Sequence, residues 1–336
     1  MMGMNFVLLP DLETDPSPYP GDSIDDVAIW YDPARPEKSV VIATLKASNQ
    51  KPVLPTGLLT YDLKGNQLQF LPGGTPNNID LRPGFEVLGS TISLIVASHW
   101  YTGEVGLYHI DSGTRNISLI RLFDTGVDKL RGLCMAKQGG QFYYFAVGGT
   151  GDVEQYRVVS LDEVVLERHW KLDSEAEGCV ADDIGGRVYI AEENTGIWSV
   201  PIDPRIDSGK ESTPMLFDKI RLFGPLKKGI EGLAILTHET NRYLVASVQD
   251  KNRFAIYDLD DKSHIATFHI GATNDIDRVT DTDGIEIFNS PLGDQFPNGL
   301  VVVHDDQNQQ RELELNQNFK FVSRDQLLDA LGDITQ

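Results

Sequence analysis

The chain has 336 residues, 40% of them hydrophobic and 24% charged, with a net charge of −21. That balance excludes a disordered chain and supplies enough apolar surface for a real core. The negative charge argues against nucleic acid or an anionic membrane as partner, and no run approaches the ~20 apolar residues of a spanning helix.

The start, Met1-Met2-Gly3-Met4-Asn5, lacks the charged-then-apolar layout of a signal peptide. The expectation is a secreted or periplasmic protein whose leader lies outside this sequence. Along the chain, short apolar runs rich in β-branched and aromatic residues recur at 39–44, 92–97, 142–147, 243–248 and 299–303. Each suits a strand covered on both faces. After such a run comes an aromatic, a short alternating strand and a polar turn. The aromatics are Tyr61, Tyr108, Tyr156, Trp198 and Tyr257, spaced by 47, 48, 42 and 59 residues. A loose period with several strands per unit marks a propeller, in which each blade needs its neighbours to bury its faces.

A sixth unit is expected from the strands near Val301 together with the N-terminal strand at 28–30, a pairing that closes the ring. The predicted fold is therefore all-β, a six-bladed β-propeller in one domain over 1–336. A two-layer sandwich is the alternative, ranked lower because the unit repeats evenly. The Pro-rich segments 14–20 and 201–214 read as loops. A short C-terminal helix is predicted over 324–331, with Leu327, Leu328 and Leu331 on one face and Ser323 as N-cap.

The acids are placed with equal regularity. Segment 177–198 reads as a hairpin, with Glu177-Gly178 at the start of one strand and Glu192-Glu193 at the end of the next. In an antiparallel pair those positions share an end, so the carboxylates converge. Converging carboxylates repel unless a cation lies between them, and oxygen donors suit a hard cation such as calcium. Asp25-Asp26, Asn77-Asn78-Ile79-Asp80, Glu231-Gly232 and the group Asp277, Asp281, Asp283 and Glu286 repeat the theme. The last group lacks the flanking helices of a helix-loop-helix calcium site. One such cluster is a solvated turn; several at the strand ends of one ring form a metal site. Cys134 and Cys179 read as core residues, and their spacing does not decide whether they pair.

Taken in order, Asp25-Asp26-x-Ala-Ile-Trp, Asn77-Asn78-Ile79-Asp80, Glu154-Gln155-Tyr156, Glu177-Gly178, Glu231-Gly232-Leu233, Asp281-Thr282-Asp283-Gly284 and Asn316-Gln317-Asn318-Phe319-Lys320 resemble the β-propeller phytases over about residues 13–322. The resemblance implies a phosphomonoesterase acting on inositol hexakisphosphate, usually as its calcium complex, with several Ca2+ ions in the channel. It implies metal ligands at Asp25, Glu177, Glu193, Glu231 and Asp283, with Glu13 a further candidate. It also implies a structural calcium at Asp277 and Asp305 and another at Asp26. Lys46, Glu177 and Glu231 take the catalytic roles, and Lys46, Arg131 and His99 the substrate contacts. Calcium would reverse the local field, bridge phosphate oxygens and acidify a bound water.

Departures from the family pattern are Ala47 and Gly149 in place of lysines, Trp100 in place of an arginine, Arg131 in place of a tyrosine, and Gly229 in place of an aspartate. Each lost charged contact to a developing anion raises the barrier, so weakened activity is expected. The alternative is a non-catalytic or auxiliary propeller that binds calcium or inositol phosphate, paired with a second phytase domain in the natural chain. A calcium-dependent lactonase ranks last, because its histidine-assisted site has no counterpart here.

Overall fold

A computed structural model describes residues 4–46, 54–206, 213–310 and 313–335. After β1 (Met4–Leu8) and β2 (Leu12–Glu13), the chain forms six blades in turn. Blade one is β3 (Ile24–Trp30), β4 (Val40–Leu45), β5 (Gly57–Tyr61) and β6 (Gln67–Pro72). Blade two is β7 (Pro76–Val87), β8 (Ser90–His99), β9 (Glu104–Ile110) and β10 (Ile117–Asp124). Blade three is β11 (Leu130–Gln138), β12 (Gln141–Gly148), β13 (Asp152–Ser160) and β14 (Glu163–Lys171). Blade four is β15 (Ala176–Asp182), β16 (Arg187–Glu192), β17 (Gly196–Pro201) and β18 (Met215–Lys219). Blade five is β19 (Ile230–His238), β20 (Asn241–Val248), β21 (Arg253–Asp258) and β22 (His264–Ile270). Blade six holds β23 (Ile285–Phe288), β24 (Leu300–Asp305) and β27 (Asn318–Ser323), with the small hairpin β25 (Gln309–Gln310) and β26 (Leu313–Glu314) between the last two.

The apolar runs are the second strands of the blades, and the five spaced aromatics all lie on third strands. Second strands need apolar residues on both faces because a blade is covered on each side by a neighbour. Six buried clusters fill the six seams. The seam between blades one and two, for example, is packed by Trp30, Ile42, Ile95 and Tyr108.

Ring closure corrects one expectation. The strand that completes blade six is β2, antiparallel to β27 with Leu12 opposite Phe321 and Glu13 opposite Lys320. Residues 28–30 instead belong to β3, the inner strand of blade one, where they pair with β4. β1 runs parallel to β22 and adds a fifth strand to blade five. The N-terminus thus clasps two blades. Helix α1 (Arg324–Thr335) follows, with Ser323 Oγ accepting the Asp325 N–H at 3.4 Å and Leu327 and Leu331 buried. Cys134 on β11 and Cys179 on β15 form a disulfide between blades three and four, with Cα atoms 5.3 Å apart.

Candidate functional site

Each blade sends the start of its inner strand to the same end of the central channel. Five of these strands carry an irregularity there. The ladder skips Asp25-Asp26 on β3, Asn77-Asn78 on β7, Arg131 on β11, Glu177-Gly178 on β15 and Glu231-Gly232 on β19. A bulge re-aims a side chain that regular pairing would fix across the sheet. Asp283 lies just before β23 and completes the set. The six positions 25, 77, 131, 177, 231 and 283 are spaced by 52, 54, 46, 54 and 52 residues, one per blade.

Glycine follows four of the six because the backbones nearly touch. A Cβ on Gly132 would lie 1.7 Å from the Glu177 carbonyl oxygen, and one on Gly178 would lie 1.8 Å from that of Glu231. On Gly232 it would come within 2.3 Å of the Asp283 carbonyl oxygen. Each glycine lets the next blade's acidic residue approach, and so keeps the ring tight.

The channel end is a cavity of about 400 Å³ lined by Asp25, Lys46, Arg131, Glu177, Glu231 and Asp283, with Asp22, Gln249, Asp250, Asp281 and Asp306 around the rim. Lys46 Nζ lies 2.5 Å from Asp25, 2.9 Å from Asp22 and 3.9 Å from Asp283. Arg131 pairs with Glu177 at 3.2 Å and with Glu175 at 3.0 Å. The Asn77 amide reaches Asp25 at 2.8 Å and Glu177 at 2.7 Å, tying opposite parts of the ring. Gln249 donates to Asp283.

Burial, reinforced by neighbouring carboxylates, holds Asp25, Glu177 and Glu231 above the usual carboxylate range. Burial works against the Lys46 ammonium, but Asp25, Asp283, Asp22 and Glu177 outweigh it and keep the lysine charged. Glu193, near Glu175 and Glu177, is pushed up to about 7, chiefly by burial. Burial is the largest cause of each shift, and Lys46 and Arg131 oppose it at Asp25 and Glu177.

The donors fit a hard cation. Carboxylate oxygens of Asp22, Asp25 and Asp283 lie within 4.8 Å of one another, and Glu177 and Glu231 stand on the same cavity wall. Asp25, Lys46, Arg131, Glu177, Glu231 and Asp283 therefore come together as expected. Glu193 stands beside this group, while its neighbour Glu192 turns away to accept from Ser174 and the Trp198 indole.

Other expected residues lie elsewhere. His99 is buried, its Nδ1 accepting the Thr75 N–H at 3.0 Å and its Nε2 in a 2.8 Å bond with the Tyr108 hydroxyl. Both nitrogens are engaged away from the cavity, which corrects its assignment as a substrate contact. Asp26 turns into the seam and accepts the Ile79 N–H at 3.0 Å, and burial pushes it up to about 7. Asp277, Asp305 and Glu13 meet at the ring closure around the fully buried Lys320, at 2.6, 3.3 and 2.5 Å. There the cation between the acids is the chain's own ammonium. Gly149 lies beside Arg131, where an added Cβ would be 3.3 Å from its Nε, while Trp100 packs edge-on against Tyr101 and is not among the residues lining the cavity. Ala47 lies outside the described residues. Asp22, Asn77, Glu175 and Gln249 complete the site without having been singled out as site residues from sequence.

A sequence profile of the phytase family, described as "Phytase", matches residues 3–336. A curated 3-phytase from Bacillus subtilis (strain 168) is 35% identical over 345 residues, covering 98% of this chain and 87% of that protein.

The chain belongs to the phytase family.

A crystal structure of a functionally unknown protein from Desulfotomaculum acetoxidans DSM 771 aligns with a TM-score of 0.52 at 13% identity, over 72% of this chain and 71% of that one. That likeness concerns the propeller alone. Of the six ring positions, Arg131 alone carries a positive charge, a guanidinium in an otherwise acidic and amide ring.

Proposed function

We propose that this phytase-family protein is a calcium-dependent phosphomonoesterase that releases phosphate from inositol hexakisphosphate, with turnover reduced by a thinned phosphate clamp. The observation that carries the reading is the six-position ring, which aims Asp25, Glu177, Glu231 and Asp283 into one cavity. Asp22, Asp25, Glu177, Glu231 and Asp283 would hold calcium, which when bound supplies positive charge for phosphate and lowers the pKa of a bound water. Lys46 holds a positive charge on the cavity wall, where a phosphate oxygen competes with Asp22 and Asp25 for it. Arg131 neutralises part of the charge on Glu177 and Glu175, and 45% of its side chain stays exposed toward an entering anion. Asn77 orients Asp25 and Glu177 without adding charge. Gly149, beside Arg131 and Glu175, carries no side chain and so adds no cation there.

A second reading, binding with little turnover, is favoured by the ion pairs that tie Arg131 to two acids. The test is phosphate release from inositol hexakisphosphate in calcium and in chelator, beside calorimetric binding of the same substrate. Calcium-dependent release supports the first reading. Tight binding without release supports the second, and neither binding nor release removes both. The disulfide supports an oxidising location such as the periplasm or the exterior, since such bonds persist there.

A further inference from the structure

We propose that the Cys134–Cys179 disulfide is a positioning element of the site, holding Arg131 and Glu177 in register across the seam between blades three and four. Both residues lie where the backbone ladder is interrupted. Arg131 falls between the paired Leu130 and Gly132, and Glu177 between the paired Ala176 and Cys179. A bulged residue has no ladder partner to fix its height in the channel.

Two neighbouring seams solve this with a hydroxyl. Thr44 Oγ1 on β4 donates to the Asn77 carbonyl at 2.7 Å, and Ser98 Oγ on β8 donates to the Arg131 carbonyl at 2.5 Å. Each ties a second strand to the inner strand of the next blade at its site residue. On β12 the corresponding residues are Val147 and Gly148, which carry no hydroxyl. The bulge at Glu177 therefore receives no such tie from blade three. The disulfide stands at this seam instead, three residues after Arg131 and two after Glu177. Cys134 pairs with Phe145 and Cys179 with Ile190, so each cysteine stands in regular ladder below its bulge. The two inner strands are nearly in contact here, as the closeness of Gly132 to Glu177 shows. A covalent link at that point transmits the position of one regular strand to the other. The Arg131–Glu177 ion pair at 3.2 Å bridges the seam above it.

The consequence is a site that responds to thiol chemistry. A dithiol reductant delivers two electrons and two protons, leaving two cysteine thiols and its own cyclic disulfide. Cys179 is half-buried and Cys134 buried, so attack begins at the Cys179 sulfur.

The inference rests on the calcium reading in one respect only, so its first readout is independent of calcium. Hydrogen exchange is followed in chelator for oxidised and dithiol-reduced protein, with free thiols confirmed by alkylation and mass. Exchange at residues 176–178 rises on reduction, while the comparable bulge at 231–232, which has no disulfide, stays unchanged. Equal exchange at 176–178 in both states overturns the proposal. The second readout is calcium binding, expected to weaken by about tenfold on reduction, the scale of losing a partner that orients a metal ligand. The Cys134→Ala/Cys179→Ala variant should reproduce the reduced protein; if it fails to fold, the reduced native chain still decides. Finally, Arg131→Gln should alter calcium affinity more in oxidised than in reduced protein. An equal effect in both contradicts positioning and leaves the bond with a merely structural role. Should oxidised protein bind no calcium at all, the calcium reading fails, while the exchange result still judges the brace.

Discussion

Lys320 and Lys46 both sit among carboxylates, one at the ring closure and one in the channel. Lys320 is wholly buried, and Glu13, Asp277, Asp305 and Asn308 surround its ammonium. Lys46 keeps 14% of its side chain exposed and faces a cavity open to solvent. At the closure, one lysine with no exposed side-chain surface meets three acids, of which Asp305 is buried and Asp277 and Glu13 keep 16% and 24% of their side chains exposed. In the channel, Lys46 and Arg131 face Asp22, Asp25, Glu177, Glu231 and Asp283, with further acids on the rim. The difference teaches that a lysine within an acidic cluster has two meanings. Closed off, it is the structural counter-ion, and the cluster holds the fold together. Open and outnumbered, it leaves a negative field that a mobile cation can enter.

The largest break in this comparison comes at the closure. Lys320→Met leaves buried carboxylates without their partner and should cost about 3–5 kcal/mol in urea unfolding. The ion pair joins the N-terminal strand to the fold, because Glu13 is on β2 and Lys320 on β27. A loss near zero would show that the clasp is not held by this charge cluster. Next comes Gly178→Ala, whose added Cβ meets a backbone oxygen that cannot move cheaply. The expected cost is about 1–3 kcal/mol, with weaker calcium binding because Glu231 is pushed from the ring. Unchanged binding would separate the glycine contacts from the site.

Lys46→Met sharpens the contrast from the other side. Its stability loss should be about 1 kcal/mol in chelator and vanish in millimolar calcium, because a bound cation replaces the lost charge. Phosphate release should still fall by about tenfold. If calcium rescued Lys320→Met equally well, the two clusters would not differ as described.

The smallest effect concerns acid. Burial lowers His99 to about 4. The unfolded chain binds that proton from about pH 6.5 downward, so this contribution is full above 6.5 and is lost as pH falls toward 4. Carboxylates raised by burial, such as Glu193 at about 7, act in the opposite sense and lose stability as pH rises. The melting temperature of His99→Asn, followed from pH 7 to pH 5, should therefore fall less steeply than that of the native chain. Parallel curves would mean that His99 takes up its proton in the folded state as easily as in the unfolded one.

Much of the propeller was readable in sequence, because a second strand covered on both faces must be apolar and a third strand repeats its aromatic. The closing strand was not, since two residues show no alternation and their partners lie some 300 positions away in sequence. Glu177, Glu231 and Asp283 were legible through the acid-glycine pairs, which reflect close backbone approach. Asn77 occupies the same kind of position with an amide in place of an acid, so residue type hid it as a site residue, whereas Arg131 was singled out only through the resemblance. His99 misled in the reverse way: a reactive residue type, taken out of play by burial and two hydrogen bonds. The disulfide depends on two blades meeting, which a separation of 45 residues does not reveal.

The central claim is that the channel ring gathers calcium. Its most direct test is calorimetric titration of calcium into chelator-stripped protein, native and with Glu177→Gln/Glu231→Gln. The account predicts that the native chain binds calcium and that the double variant loses a site or binds far more weakly. Identical isotherms for the two proteins, or no heat of binding in either, would contradict it.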